Sequence, residues 1–143
     1  MNNLYPKFKI LKKTFKPKML RIKKLTDTLL HGEYGFKSKK NSYISSAQLE
    51  SLRKTLNKKI KKLGKLWIRI FPHFFLTKKP LEVRMGNGKG NFSKWVVNIP
   101  KGCTIIEFSI YDKDVILNLD ELFKDCKAKL GIPMKFIKKN DID

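Results

Sequence analysis

Soft metal and redox chemistry have little to work with in this sequence, which holds two cysteines and two histidines in 143 residues. Cys103 and Cys126 form no CxxC pair, and His31 and His73 stand at no ligand spacing to either, so a zinc site is not encoded. Both cysteines read as buried thiols. No apolar run approaches the roughly 20 residues of a membrane-spanning helix, and the N-terminus has neither a secretory apolar core nor the Arg and Ser richness of a transit peptide. It reads as mature protein. Acid is scarce as well: 12 Asp and Glu face 33 Lys and Arg, for a formal charge of +21 and a pI near 10.1. Arginine is the scarcest cation, confined to Arg21, Arg53, Arg69 and Arg84. A chain so rich in Lys, Ile, Phe and Asn points to an AT-rich coding genome, an organelle's or a reduced bacterium's.

What is present is one core's worth of apolar residues, 41% of the chain, and a very uneven charge. Twelve basic and two acidic residues fall in 1–40, ten and one in 41–80, four and two in 81–110, and seven and seven in 111–143. A surplus of this size repels itself unless a polyanion neutralises it, so nucleic acid is the expected partner and the first half the expected anion-binding side. The organisation expected is a basic arm over 1–27, one globular α+β unit over 28–138 and a short tail over 139–143.

In the arm, Lys7, Lys9, Lys12, Lys13, Lys16, Lys18 and Arg21 alternate with Phe8, Ile10, Leu11, Phe15, Met19 and Leu20. Pro6 and Pro17 break any long helix. A solvated tail would need no such apolar residues, so an arm that orders on RNA is expected. Residues 28–38 read as a short strand or irregular hairpin, with His31 packed or on the surface. Ser45 to Leu63 predicts a helix: Ser45 and Gln48 form a capping box, Ile44 and Leu49 a staple, Leu49, Leu52, Leu56, Ile60 and Leu63 an apolar stripe, and Gly64 a stop. Arg53, Lys54, Lys58, Lys59, Lys61 and Lys62 occupy its other faces with Glu50 the only acid, which favours phosphate contact over an ordinary solvated face. Leu66–Phe71 predicts a strand carrying Arg69 beside Trp67 and Phe71, with Trp67 read as core. His73–Pro80 reads as a connection anchored by Phe74 and Phe75. Leu81–Met85, 95–99, 103–110 and 134–138 read as strands, and Asn118 with Glu121 caps a second helix. Its stripe is Leu119, Leu122, Phe123, Cys126 and Leu130, and it ends at Gly131 and Pro133. Two helices on an antiparallel or mixed sheet make an α+β fold.

Lys79 to Trp95, KPLEVRMGNGKGNFSKW, organises the rest. Gly86, Gly88 and Gly90 alternate, with Arg84 and Lys89 to meet an anion. A Walker-type loop would need glycine at Val83 and a hydroxyl at Gly90, and a dinucleotide fingerprint would need glycine at Asn91. A nucleotide-binding enzyme using Gly86–Gly90 as a phosphate cradle is the alternative, but no acid pair, metal cluster or nucleophile–base set accompanies the loop. A plain hairpin tip competes equally with a phosphate-binding loop on spacing alone. Arg84 either meets RNA or pairs with Glu82 or Glu107.

These residues together resemble the L-sixteen family of bacterial-type large-subunit ribosomal proteins. The resemblance runs from Tyr34-Gly35 to Phe136. It covers Ser45, Gln48, Glu50 and Arg53, then Gly64-Lys65-Leu66-Trp67-Ile68-Arg69-Ile70-Phe71-Pro72, then Thr77, Lys79-Pro80, Val83-Arg84-Met85-Gly86 and Gly88-Lys89-Gly90. Trp95-Val96, Gly102, Glu107 and Lys129-Leu130 complete it. It departs from the family pattern at Asn87, where a further basic residue is usual. The resemblance implies an α/β-hammerhead-like fold and no catalysis or cofactor. It implies binding to large-subunit ribosomal RNA near the central protuberance and the aminoacyl-tRNA site, with transient tRNA contact, neighbouring ribosomal proteins as partners and no membrane. Lys65, Arg69 and Lys79 join the RNA-facing set, and Arg84, Met85, Gly86, Asn87, Gly88, Lys89 and Gly90 correspond to a loop near the peptidyl-transferase region. The expected compartment is the mitochondrial matrix, with plastid or bacterial cytoplasm as alternatives.

Overall fold

The computed structural model describes residues 4–6, 15–16, 18, 28–61, 63–111 and 119–139. Nine elements follow in order among them: β1 (Tyr34–Ser38), β2 (Ser42–Ser45), α1 (Ser46–Ile60), β3 (Gly64–Ile68), β4 (Phe74–Lys78), β5 (Asn91–Ile99), β6 (Thr104–Ile110), α2 (Leu119–Leu130) and β7 (Met134–Lys138). They make two antiparallel sheets, ordered β3-β6-β1-β7 and β2-β5-β4. The architecture is α+β, as the alternation of apolar periods predicts. No helix among the described residues is long and apolar enough to cross a membrane.

The first helix forms where its cap predicts. Ser45 is extended at φ −81°, its hydroxyl accepts from the Gln48 amide at 3.3 Å, and the Gln48 side chain accepts from the Ser45 amide at 2.9 Å. That box satisfies two of the amides a helix start leaves without intrahelical partners. Leu49, Leu52, Leu56 and Ile60 are fully buried along one stripe, which joins the helix to α2, β2, β3 and β5. Ile44, Val97 and Ile99 of the second sheet and Phe36, Ile106 and Phe108 of the first meet in this core with Leu122, Cys126 and Leu130 of α2. Both thiols are free and buried. Burial pushes the Cys126 thiol up to about 12, with Asp125 adding to the rise, and burial also raises Cys103.

Several boundaries differ from the sequence reading. The first helix stops at Ile60 rather than Leu63, because the Leu63 amide turns back to the Ile60 carbonyl at 2.8 Å. Gly64 does not cap the helix; it opens β3, two residues before the expected strand. A Cβ there would lie 1.9 Å from the Ser109 carbonyl oxygen, so only glycine lets β3 close against β6. Phe74–Lys78 is a strand and not a connection, since β5 offers it a full set of partners. Leu81–Met85 is not a strand: Leu81, Val83 and Met85 stand in solvent with no neighbouring strand to pair. Asn118, the expected cap of α2, lies outside the described residues.

Candidate nucleic-acid interface

β4 and β5 form a hairpin whose connection is the glycine-rich segment. The register runs from Phe74 opposite Val96 to Lys78 opposite Asn91, with a bulge where Leu76 faces Lys94 and Thr77 faces Phe92. Phe75, Phe92 and Trp95 pack at the base of this stem, with Phe75 and Trp95 edge-on at 5.9 Å and Phe92 and Trp95 at 5.5 Å. Beyond them every residue from Pro80 to Lys89 is exposed.

The glycines do different jobs within the loop. Gly86, Asn87 and Gly88 form a left-handed run at φ 108°, 52° and 72°, which turns the chain at the tip. Gly90 closes the neck: a Cβ there would sit 2.5 Å from the carbonyl carbon and oxygen of Lys78. The Lys79 ammonium donates to the Gly86 carbonyl across the loop, so this cation braces the tip. Arg84 and Lys89 remain on its surface. Arg84 pairs with neither Glu82 nor Glu107 among the described ion pairs, and the Lys89 ammonium lies 5.3 Å from the centre of the Phe15 ring.

Glu107 is committed elsewhere. It is fully buried and accepts from the amides of Leu30, His31 and Gly32 at 3.1, 2.7 and 3.1 Å and from the Arg69 guanidinium. Burial alone would raise its pKa; the three amides and Arg69 outweigh that and hold it below the usual glutamate range. This carboxylate therefore fastens residues 30–32, where the N-terminal segment meets the sheet. His31 stacks on Trp67 at 6.0 Å in the same place, leaving Trp67 half-buried.

Apart from Lys79, which braces the tip, the expected RNA-facing cations fall into four groups. Lys7, Lys9, Lys12, Lys13, Arg21 and Lys62 lie outside the described residues. Three others have carboxylates of the protein as their partners: Arg53 with Glu50 at 2.7 Å, Lys59 with Glu121 at 2.6 Å and Asp125 at 2.8 Å, and Arg69 with Glu107. Arg53 holds the Glu50 carboxyl below its usual range, and Asp125 and Glu121 raise Lys59. Lys58, Lys61 and Lys65 are exposed and have no carboxylate partner among the described residues. In the arm, Lys16 sits 4.8 Å over the Tyr43 ring, and the Lys18 carbonyl accepts from Asn98 Nδ2 at 2.7 Å. Tyr43 and Asn98 are cross-strand partners, so these two contacts put residues 16 and 18 along the β2–β5 face.

Sequence reading missed a further cationic pair. Lys37 and Lys135 lie directly opposite across β1 and β7, and burial followed by the charge of Lys135 lowers the Lys37 pKa. The register that brings two like charges together depends on strand pairing between residues 98 positions apart, which no local pattern carries. Among the described residues no group of three or more His, Cys, Asp or Glu is placed to hold a metal ion.

Known proteins resemble this chain in sequence. The family described as Ribosomal protein L16p/L10e matches residues 6–137. A "Large ribosomal subunit protein uL16" from Malacoplasma penetrans is 42% identical over 111 residues, 78% of this chain and 77% of its own length. The protein of that name from Xanthomonas campestris is 42% identical over 106 residues, 74% of this chain and 75% of its own. The one from Corynebacterium diphtheriae is 36% identical over 138 residues, 96% and 98% of the two chains. The chain belongs to the ribosomal protein L16p/L10e family, whose role is structural and not catalytic.

Proposed function

We propose that this chain is a constituent of the large ribosomal subunit that binds its RNA mainly through the basic first half, near the central protuberance and the aminoacyl-tRNA site. The observation that carries the reading is the β4–β5 hairpin, which holds Arg84 and Lys89 at an exposed tip while a braced neck fixes where that tip points. Backbone amides and exposed cations on such a tip suit phosphate and sugar. The exposed Lys58, Lys61 and Lys65 and the arm lysines add sequence-independent attraction, and tRNA in the aminoacyl site is a transient partner. Neighbouring ribosomal proteins complete the surroundings, and no cofactor is needed. The lysine-rich, arginine-poor composition suits a mitochondrial ribosome and equally a reduced bacterium's, and the relatives named above are bacterial.

The test is sedimentation of the tagged chain through a sucrose gradient from cells and from purified mitochondria. Cofractionation with large subunits, reversed by high salt, is the expected result. A chain that stays at the top of the gradient in low salt contradicts the ribosomal reading, and one that rides only on cytoplasmic particles contradicts the mitochondrial one.

A further inference from the structure

An open cleft of about 330 Å³ lies beside the neck of the hairpin, lined by Lys78, Lys79, Pro80, Leu81, Asn91, Phe92 and Ser93. Its volume is at the low end of the roughly 300–1,000 Å³ of small-ligand sites, enough for one base with its sugar. Its lining is mixed in a particular way. Phe92 packs on Trp95 at the aromatic base of the stem yet leaves 50% of its surface exposed. Leu81, 93% exposed, and Pro80 supply apolar surface. Asn91 and Ser93 bring hydrogen-bonding groups and Lys78 a cation, while Lys79 is held by the Gly86 carbonyl and so belongs to the wall.

We infer that this cleft receives a single unpaired nucleobase of RNA, stacked on Phe92, with Lys78 meeting the adjoining phosphate. The inference rests on the RNA-binding reading above and adds a base-sized subsite to it. A helix of paired RNA offers side chains mainly backbone and a shallow groove, whereas an extruded base presents a flat apolar face and polar edges. An exposed aromatic ring next to side-chain amide and hydroxyl groups and a cation matches that pattern. A purely electrostatic contact would need the lysine and not the ring. The braced neck matters here, because Gly90 packed on Lys78 and Lys79 keeps the two cleft walls at fixed separation.

The test uses the full-length chain and three hairpin RNAs of identical stem: fully paired, with one bulged 2-aminopurine, and with 2-aminopurine in a single-stranded 3′ overhang. Wild-type protein is expected to bind an unpaired-base RNA about 10-fold more tightly than the paired one, in the range of one aromatic stack, and to change its fluorescence. The bulge and overhang arms separate an internal extruded base from a free end, and a preference for either supports the cleft. Phe92→Leu keeps apolar bulk in the stem and should abolish the preference, bringing affinity for the unpaired-base RNAs down to that for the paired one; Phe92→Tyr should retain the preference. Lys78→Gln should lower affinity for the unpaired-base RNAs more than for the paired one. Equal binding of all three RNAs by wild type, or a preference that survives Phe92→Leu, overturns the cleft while leaving RNA binding intact. Failure to bind any of them overturns the RNA-binding reading itself and the cleft with it.

Discussion

Two residues show how charge is divided in this chain between holding the fold and meeting a partner. Glu107 is buried against three amides and Arg69, so Glu107→Gln leaves Arg69 without its counter-ion and should cost about 3 kcal/mol, read as a lower urea midpoint. Because the folded pKa lies below the ordinary value of 4.5, the contribution is complete above that value and is lost as pH falls through the folded one. Wild-type stability should therefore drop below about pH 4.5, and Glu107→Gln should flatten that drop without abolishing it, since Glu50 is shifted in the same direction. Arg84 is the opposite case, exposed at the hairpin tip. Arg84→Lys should melt like wild type while weakening RNA contact by roughly 1–3 kcal/mol, the range of one charge-assisted bond, measured as affinity for large-subunit RNA. Unchanged affinity removes Arg84 from the interface.

The elements were legible where one local pattern decided them. The Ser45–Gln48 box and the stripe through Leu49, Leu52, Leu56 and Ile60 fixed α1, because both operate within a few residues of chain. The β-branched run of β6 marked a central strand, and β6 lies between β3 and β1. Strands failed where a partner decides. Leu81, Val83 and Met85 alternate as a strand should and pair with nothing, while Phe74–Lys78, hidden between Pro72 and Pro80, pairs with β5. The loop was legible as glycine-rich and cationic, but the separate tasks of its glycines were not, because close approach is a property of the folded neck. That difference is testable by hydrogen exchange. Gly90→Ala would push against the Lys78 backbone at a cost of about 1–3 kcal/mol, so amides of the β4–β5 stem should exchange faster while those of β6 do not. Gly88→Ala faces open space and should cost about 1–2 kcal/mol through its left-handed φ of 72°, with stem exchange unchanged.

For the whole molecule, the balance of charge between the two halves sets the expected behaviour. Residues 1–80 carry 22 basic and three acidic residues, against 11 and nine in 81–143. In α2, Glu121 and Asp125 are turned to Lys59. RNA affinity should fall steeply with salt, by a slope near 0.9 per phosphate neutralised on duplex DNA, taken as a guide for RNA. Removing residues 1–25 should flatten that slope by several units; an unchanged slope would make the arm a spectator. The partner class was legible in the sequence because net charge needs no fold. Which cations stay available was legible only in part: Arg53 meets Glu50 one turn back on α1, a spacing the sequence carries, whereas Lys59 and Arg69 find carboxylates of the protein only once the chain is packed.

The account turns on the hairpin tip lying at the aminoacyl-tRNA site, and a tethered cleavage probe tests this directly. Cys103 and Cys126 are buried with raised pKa values, so Met85→Cys places a single reactive thiol on a fully exposed residue at the tip. With an iron chelate attached there and the protein assembled into large subunits, hydroxyl-radical cleavage should concentrate in the RNA around the aminoacyl-tRNA site. The same probe on α2, through Lys124→Cys, should leave that RNA intact. Cleavage elsewhere from the tip, or equal cleavage of that RNA from both positions, would contradict the account.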